Sequence, residues 1–159
     1  MSSRVRPAPG TVRALQTALT AEHAAVYGYG VAGAHLAGTM QATATNDWVA
    51  HQVARDRIEA VLRSLGAQPA AAAAAYQLPA PVRNAGQAVA LAVVLEDRVA
   101  TAYLGLVALS NVSIREFGAV QVQASALRAA AWRGGTVAFP GMPAAALAAR
   151  RQRQRQRQS

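Results

Sequence analysis

A chain of 159 residues without cysteine is long enough for one well-cored domain and excludes disulfides, thiolate metal sites and a thiol nucleophile. Apolar residues make up 53% of it but aromatics only 5%; alanine is the commonest residue, and such small side chains let helices approach closely, which predicts an all-α fold. The formal charge of +9 resides in the ends: Arg4 and Arg6 open the chain, Arg150, Arg151, Arg153, Arg155 and Arg157 close it, and the body keeps nine arginines against seven acids, which argues against a basic folded surface.

Residues 1–10, with Pro7 and Pro9, read as a flexible leader lacking the apolar core of a signal peptide. A first helix is expected over 11–36. Val12, Leu15, Leu19, Glu22, Val26, Tyr29, Gly33 and Leu36 recur there in steps of three and four, a seam facing other helices with a carboxylate inside it. The second is expected over 46–65, with Asn46 as N-cap and Gly66 as stop. Its apolar residues fall on two faces, so periodicity does not place Asp56. The third is expected over 84–109, where Val89, Val93, Glu96, Ala100, Tyr103 and Val107 keep the same rhythm. The fourth is expected from Ser113, opening on a Ser113–Glu116 capping box and ending near Arg133 before Gly134 and Gly135.

Between the second and third helices, 66–83 carries Pro69, Pro79 and Pro81. Extended, it reaches about 59 Å, against about 38 Å for a helix of 25 residues. It can therefore run the length of a bundle, as in folds with one long crossover. An internal repeat agrees: Glu22 precedes Tyr29 by seven residues, Glu96 precedes Tyr103 by seven, and the offset between the pairs is 74. Two helical hairpins about a pseudo-twofold axis would produce it. Beyond the helices, Phe139 to Pro143 reads as a turn laid back on the body. The Arg–Gln alternation from Arg151 to Gln158 reads as a disordered, self-repelling tail. The expected organisation is a leader at 1–10, a bundle at 11–143 and a basic tail at 144–159. The longest apolar stretch, 88–95, is too short to span a bilayer, and a cytoplasmic protein is expected.

Ferritin-like carboxylate sites draw a Glu from each of two helices and Glu-x-x-His from each of the other two, because hard cations need anionic oxygens. Glu22 and Glu96 stand where the single glutamates would be. Asp56, with Glu59 three residues on, falls about where the second helix would supply its own. The fourth helix breaks the scheme, since no Asp, Glu, His or Cys occurs from Phe117 to Ser159. A six-ligand dimetal site cannot come from one chain. An arginine in the metal's place is the alternative: Arg55, Arg98 and Arg128 are candidates to neutralise Glu22, Asp56 and Glu96 by bidentate bonds.

Four segments carry a resemblance: Ala21 to Tyr27, His51 through Asp56, Leu95 to Ala100, and Trp132–Arg133 with Phe139–Pro140–Gly141. In these the chain resembles a family of small ferritin-like proteins of unknown function from high-GC Gram-positive bacteria. The resemblance implies the four-helix bundle and supplies no activity, substrate or cofactor. The reading is a non-catalytic binding or structural module with a degenerate dimetal site, open to homodimerisation. The first alternative is a reduced metal site holding iron or manganese through Glu22, Asp56, Glu59 and Glu96, joined by His23 or His51 or completed across a dimer. The second is nucleic-acid association through the tail alone, by phosphate contacts. His23, His35 and His51 are expected as ordinary helix-surface or interface residues, and Tyr27, Tyr29 and Tyr103 as core packing.

Overall fold

A computed structural model of the chain describes residues 9–135 and Gln156. The turn at 139–143, most of the leader and the Arg–Gln run as a segment lie outside the described residues. Four helices follow in order: α1 (Pro9–Gly33), α2 (Gly38–Ser64), α3 (Ala85–Val107) and α4 (Val112–Arg133). No strand occurs among the described residues. No helix there is long and apolar enough to cross a membrane.

Two starts differ from expectation. Helix α2 begins at Gly38, eight residues before Asn46. The polar run after Gly38 hides a helix because Thr43 and Thr45 turn their hydroxyls back onto the carbonyls of Thr39 and Gln41, leaving Ala44 to face the core. The Ser113 capping box does not form. Asn111 caps α4 instead, its side-chain oxygen accepting from the Ile114 amide at 3.0 Å, a role suited to Asn. Asn84 caps α3 in the same way through Gln87. The stops stand as the glycines suggest: Gly66 and Gly134 adopt φ of +74° and +71°, which side-chain-bearing residues rarely do.

Helix α1 packs on α2 and α3, and α3 on α4. Helices α2 and α4 meet through side chains: Arg57 lies over the Phe117 ring at 4.4 Å, and Trp132 reaches Asp47. The segment after α2 lies along α1. Gln16 exchanges bonds with Gln68 and Ala70, His23 bonds the Ala70 carbonyl, and Tyr27 packs on Tyr76. Farther on, Leu78 and Val82 pack against the core formed by the end of α1.

That core comes in two halves. One gathers Leu15, Leu19, Ile58, Leu62, Val99, Leu106 and Phe117; the other gathers Ala32, Leu36, Ala44, Leu91, Leu95 and Trp132. Tyr103 belongs to the first and Tyr29 to the second. Between the halves, at the levels of Glu22, His51, Glu96 and Ser125, every helix contributes a fully buried polar residue.

Close packing sets the α3–α4 distance. A Cβ at Gly118 would stand 2.7 Å from the Leu106 Cβ and 3.2 Å from the Val107 amide nitrogen. These are rigid neighbours. Gly118→Ala should therefore lose about 1–3 kcal/mol to overpacking against a helix-propensity gain of about 1 kcal/mol, a net loss of up to about 2 kcal/mol. Urea unfolding checks this, and a variant more stable than wild type would contradict it.

Candidate functional site

The buried polar layer is built around His51. This side chain is fully buried on α2, and both its ring nitrogens face carboxylates: Nδ1 lies 2.7 Å from Glu22 Oε2 on α1, and Nε2 lies 3.0 Å from Glu96 Oε1 on α3. A neutral imidazole has one donor and one acceptor, so one nitrogen would point its lone pair at an anion. With both nitrogens protonated, both contacts become charge-assisted hydrogen bonds. Burial alone would lower the His51 pKa, but the bonds to Glu22 and Glu96 prevail and raise it to about 9. Geometry and the raised pKa both favour the imidazolium at neutral pH.

The two tyrosines of the sequence repeat bond crosswise. Tyr103 on α3 donates to Glu22 Oε1 at 2.7 Å, and Tyr29 on α1 donates to Glu96 Oε1 at 2.7 Å. Burial, and then the neighbouring carboxylates, push both hydroxyls well above the usual tyrosine range, so both remain donors. Tyr29 also stacks on the His51 ring, with centroids 5.2 Å apart.

Helix α4 supplies a second cation to the layer. Arg128 donates from Nε to Glu96 Oε1 at 2.8 Å and from Nη2 to Ser125 Oγ at 3.2 Å. Burial opposes the charge on Arg128, but Glu96 raises its pKa. Glu96 responds in kind: burial would raise its pKa, yet His51 and then Arg128 bring it below the ordinary value. Three donors converge on Glu96 Oε1, whereas its buried Oε2 has no partner among the described residues. At the edge of the layer, Trp132 Nε1 donates to Asp47 Oδ2 at 2.8 Å. Burial raises the Asp47 pKa, with Trp132 working against the rise. His51 and Arg128 together balance the charges of Glu22 and Glu96.

Glu22, Glu96 and Arg128 thus meet in one layer, but Arg55, Asp56 and Arg98 stay out of it. Arg55 pairs with its neighbour Asp56 at 2.8 Å on the outside of α2, because successive helical residues point about 100° apart and Asp56 lies well round from His51. Glu59 pairs with Arg63 on the same outer side. His23 is held at the connecting segment, and Arg98 is exposed. His51 is no interface residue: it is the centre of the layer. Asp47 and Ser125 were not singled out from the sequence, and Trp132 only within the resemblance.

The fit of a dimetal centre can be judged from this geometry. The ring of His51 occupies the space between the two carboxylates, its nitrogens are both committed, and the α4 position offers a guanidinium. No group of three or more His, Cys, Asp or Glu side chains among the described residues is arranged to hold a metal ion.

The model of a domain of unknown function, DUF4439, matches residues 14–144. The chain belongs to the DUF4439 family. No curated protein matches it. The crystal structure of a conserved hypothetical protein, rv2844, from Mycobacterium tuberculosis is similar at 32% identity and a TM-score of 0.77, over 80% of this chain and 97% of that one. That structural likeness agrees with the four-helix body, and membership in DUF4439 brings no assigned chemistry.

Proposed function

We propose that the chain is a ferritin-like bundle with a degenerate dimetal site, acting as a non-catalytic binding or structural module. The observation that carries this reading is His51, bonded through both nitrogens to the two glutamates that would be the single-Glu metal ligands. An imidazolium there, with Arg128 beside it, supplies the positive charge that ions would otherwise bring. Two buried carboxylates need such a cation, because unneutralised they repel one another. The contacts of the α2–α3 segment with Gln16, His23 and Tyr27 support the long crossover of the ferritin-like topology. A buried network in which cations and phenols already satisfy the acids fits a scaffold better than a reactive centre.

The test is metal content. Protein exposed to iron or manganese, then desalted, should carry far less than one ion per chain by plasma mass spectrometry. Its melting temperature should not change with a chelator, because no ion contributes folding energy. Near-stoichiometric metal with a chelator-sensitive melt would overturn the reading and favour a reduced site of Glu22, His51 and Glu96.

A further inference from the structure

The outer face of α1 and α3 carries a trough of about 870 Å³ that no residue of the buried layer lines. Its lining is mostly small, with Ala14, Ala21, Ala24, Ala102 and Gly105 set between Leu95 and Leu109. Thr17, Thr20 and Thr101 also line it, but each turns its hydroxyl onto a carbonyl one turn back. What Thr17 and Thr20 offer outward is methyl. Along α1 the trough extends from Gly10 to Ala24, about 21 Å at the helical rise.

Its charge has one sign. Arg13 and Arg98 line it, and none of the chain's acids does. Elsewhere Arg55, Arg63, Arg128 and Arg133 have acid partners, and Arg57 lies on Phe117. Arg13 and Arg98 have no acid partner among the described residues, and outside the trough neither do Arg83 and Arg115. Because α1 and α3 run antiparallel, as the Glu22–Tyr103 and Tyr29–Glu96 bonds show, the two arginines stand near opposite ends of the trough.

We infer that this trough docks an acidic amphipathic helix of a partner protein, a proposal that rests on the binding-module reading and names its surface. Small residues let a third helix come within the usual 8–10 Å of two others, and an apolar stripe laid in a groove is a common recognition mode. Carboxylates near both ends of that helix would meet Arg13 and Arg98. A second copy of this chain applied through the same face would set arginine against arginine. Residues 136–159 contain no Asp or Glu and do not complement it either. A fatty acid would use one arginine and leave much of its chain in water, since Thr17, Thr20, Thr101 and Gly105 are exposed and the trough is open along its length.

The experiment uses the full chain and a labelled helical peptide of about 15 residues with one Ala/Leu face and Glu near each end, alongside a twin with Lys for Glu. In fluorescence anisotropy the wild type should bind the Glu peptide at least about tenfold more tightly than the Lys twin. The Arg13→Glu/Arg98→Glu variant should reverse that preference while keeping the wild-type melt, both positions being exposed. Amide shifts should concentrate at Ala14, Ala21, Ala102 and Gly105. Equal affinity for the two peptides, no binding, or shifts elsewhere would overturn the inference. Palmitate shifting these amides where the peptide does not would replace the helix by a single-chain amphiphile. None of these results bears on metal content, so the two readings fail separately.

Discussion

His51→Ala should lower the unfolding free energy by about 3–5 kcal/mol at neutral pH, the range for breaking a buried ion pair from one side. The imidazolium is fully buried and makes two charge-assisted bonds. Its removal leaves Glu22 and Glu96, both fully buried, with Arg128 as the remaining cation of the layer. The ring's volume is lost as well, and Tyr29 loses its stacking partner. Like charges in a dry interior are relieved by a proton, so the variant should gain stability on mild acidification. Urea unfolding at two pH values reads both effects. A loss below 1 kcal/mol with no gain in acid would mean that His51 does not neutralise the pair.

Much of this layer is legible in the sequence, for a physical reason. A carboxylate within an apolar seam has to be answered by something, and the repeat of Glu22–Tyr29 as Glu96–Tyr103 names two of the answers. In antiparallel helices each tyrosine falls level with the other helix's glutamate, so the bonds cross. Arg128 is legible because α4 offers no acid or imidazole beyond Glu116 and carries a charge there instead. Arg98 is a misreading the helical period could have prevented: two residues from Glu96, it must point to the other side of α3. His51 and Asp47 are harder. The buried line of α2 is Ala44, Asp47, His51, Ala54, Ile58 and Leu62, an unbroken three–four rhythm. Two of its members are polar, and a reading keyed to apolar residues breaks the seam at its centre. It then assigns the carboxylate role to Asp56, which is on the wrong side of the helix.

The repeat also explains why the layer is lopsided. The residue 74 positions after His51 is Ser125, which is likewise fully buried. Equivalent positions of the repeat are thus both buried, one filled by an imidazole and the other by a shorter hydroxyl. Arg128, one turn along from Ser125, fills that side by reaching Glu96 and bonding the serine on the way. Both cations therefore converge on Glu96 and, with the Tyr29 hydroxyl, place three donors at one of its oxygens, while the other has none among the described residues.

The same geometry predicts how stability depends on pH. His51 has a pKa near 9 in the native state against an ordinary 6.5. Below 6.5 both states hold the proton and its stabilisation is complete. Between the two values the native state keeps a proton that the unfolded chain has released. Stability should therefore fall by about 1.4 kcal/mol per pH unit, or about 3 kcal/mol in all. Asp47, raised by burial, weakens the fold in the same direction as pH climbs above its ordinary 3.8. The raised hydroxyls of Tyr29 and Tyr103 add to the loss above pH 10. Glu96 works in the opposite sense: its lowered pKa gives stabilisation that is complete above 4.5 and lost on acidification below it. Maximum stability should thus lie at mildly acidic pH, between the ranges where Glu96 and His51 lose their effect. Urea unfolding at pH 6 and pH 9 measures the larger slope, and His51→Ala should flatten it. A wild type equally stable at both values would mean that the native ring is neutral, which would return a lone pair to face a carboxylate and remove the cation on which the layer depends.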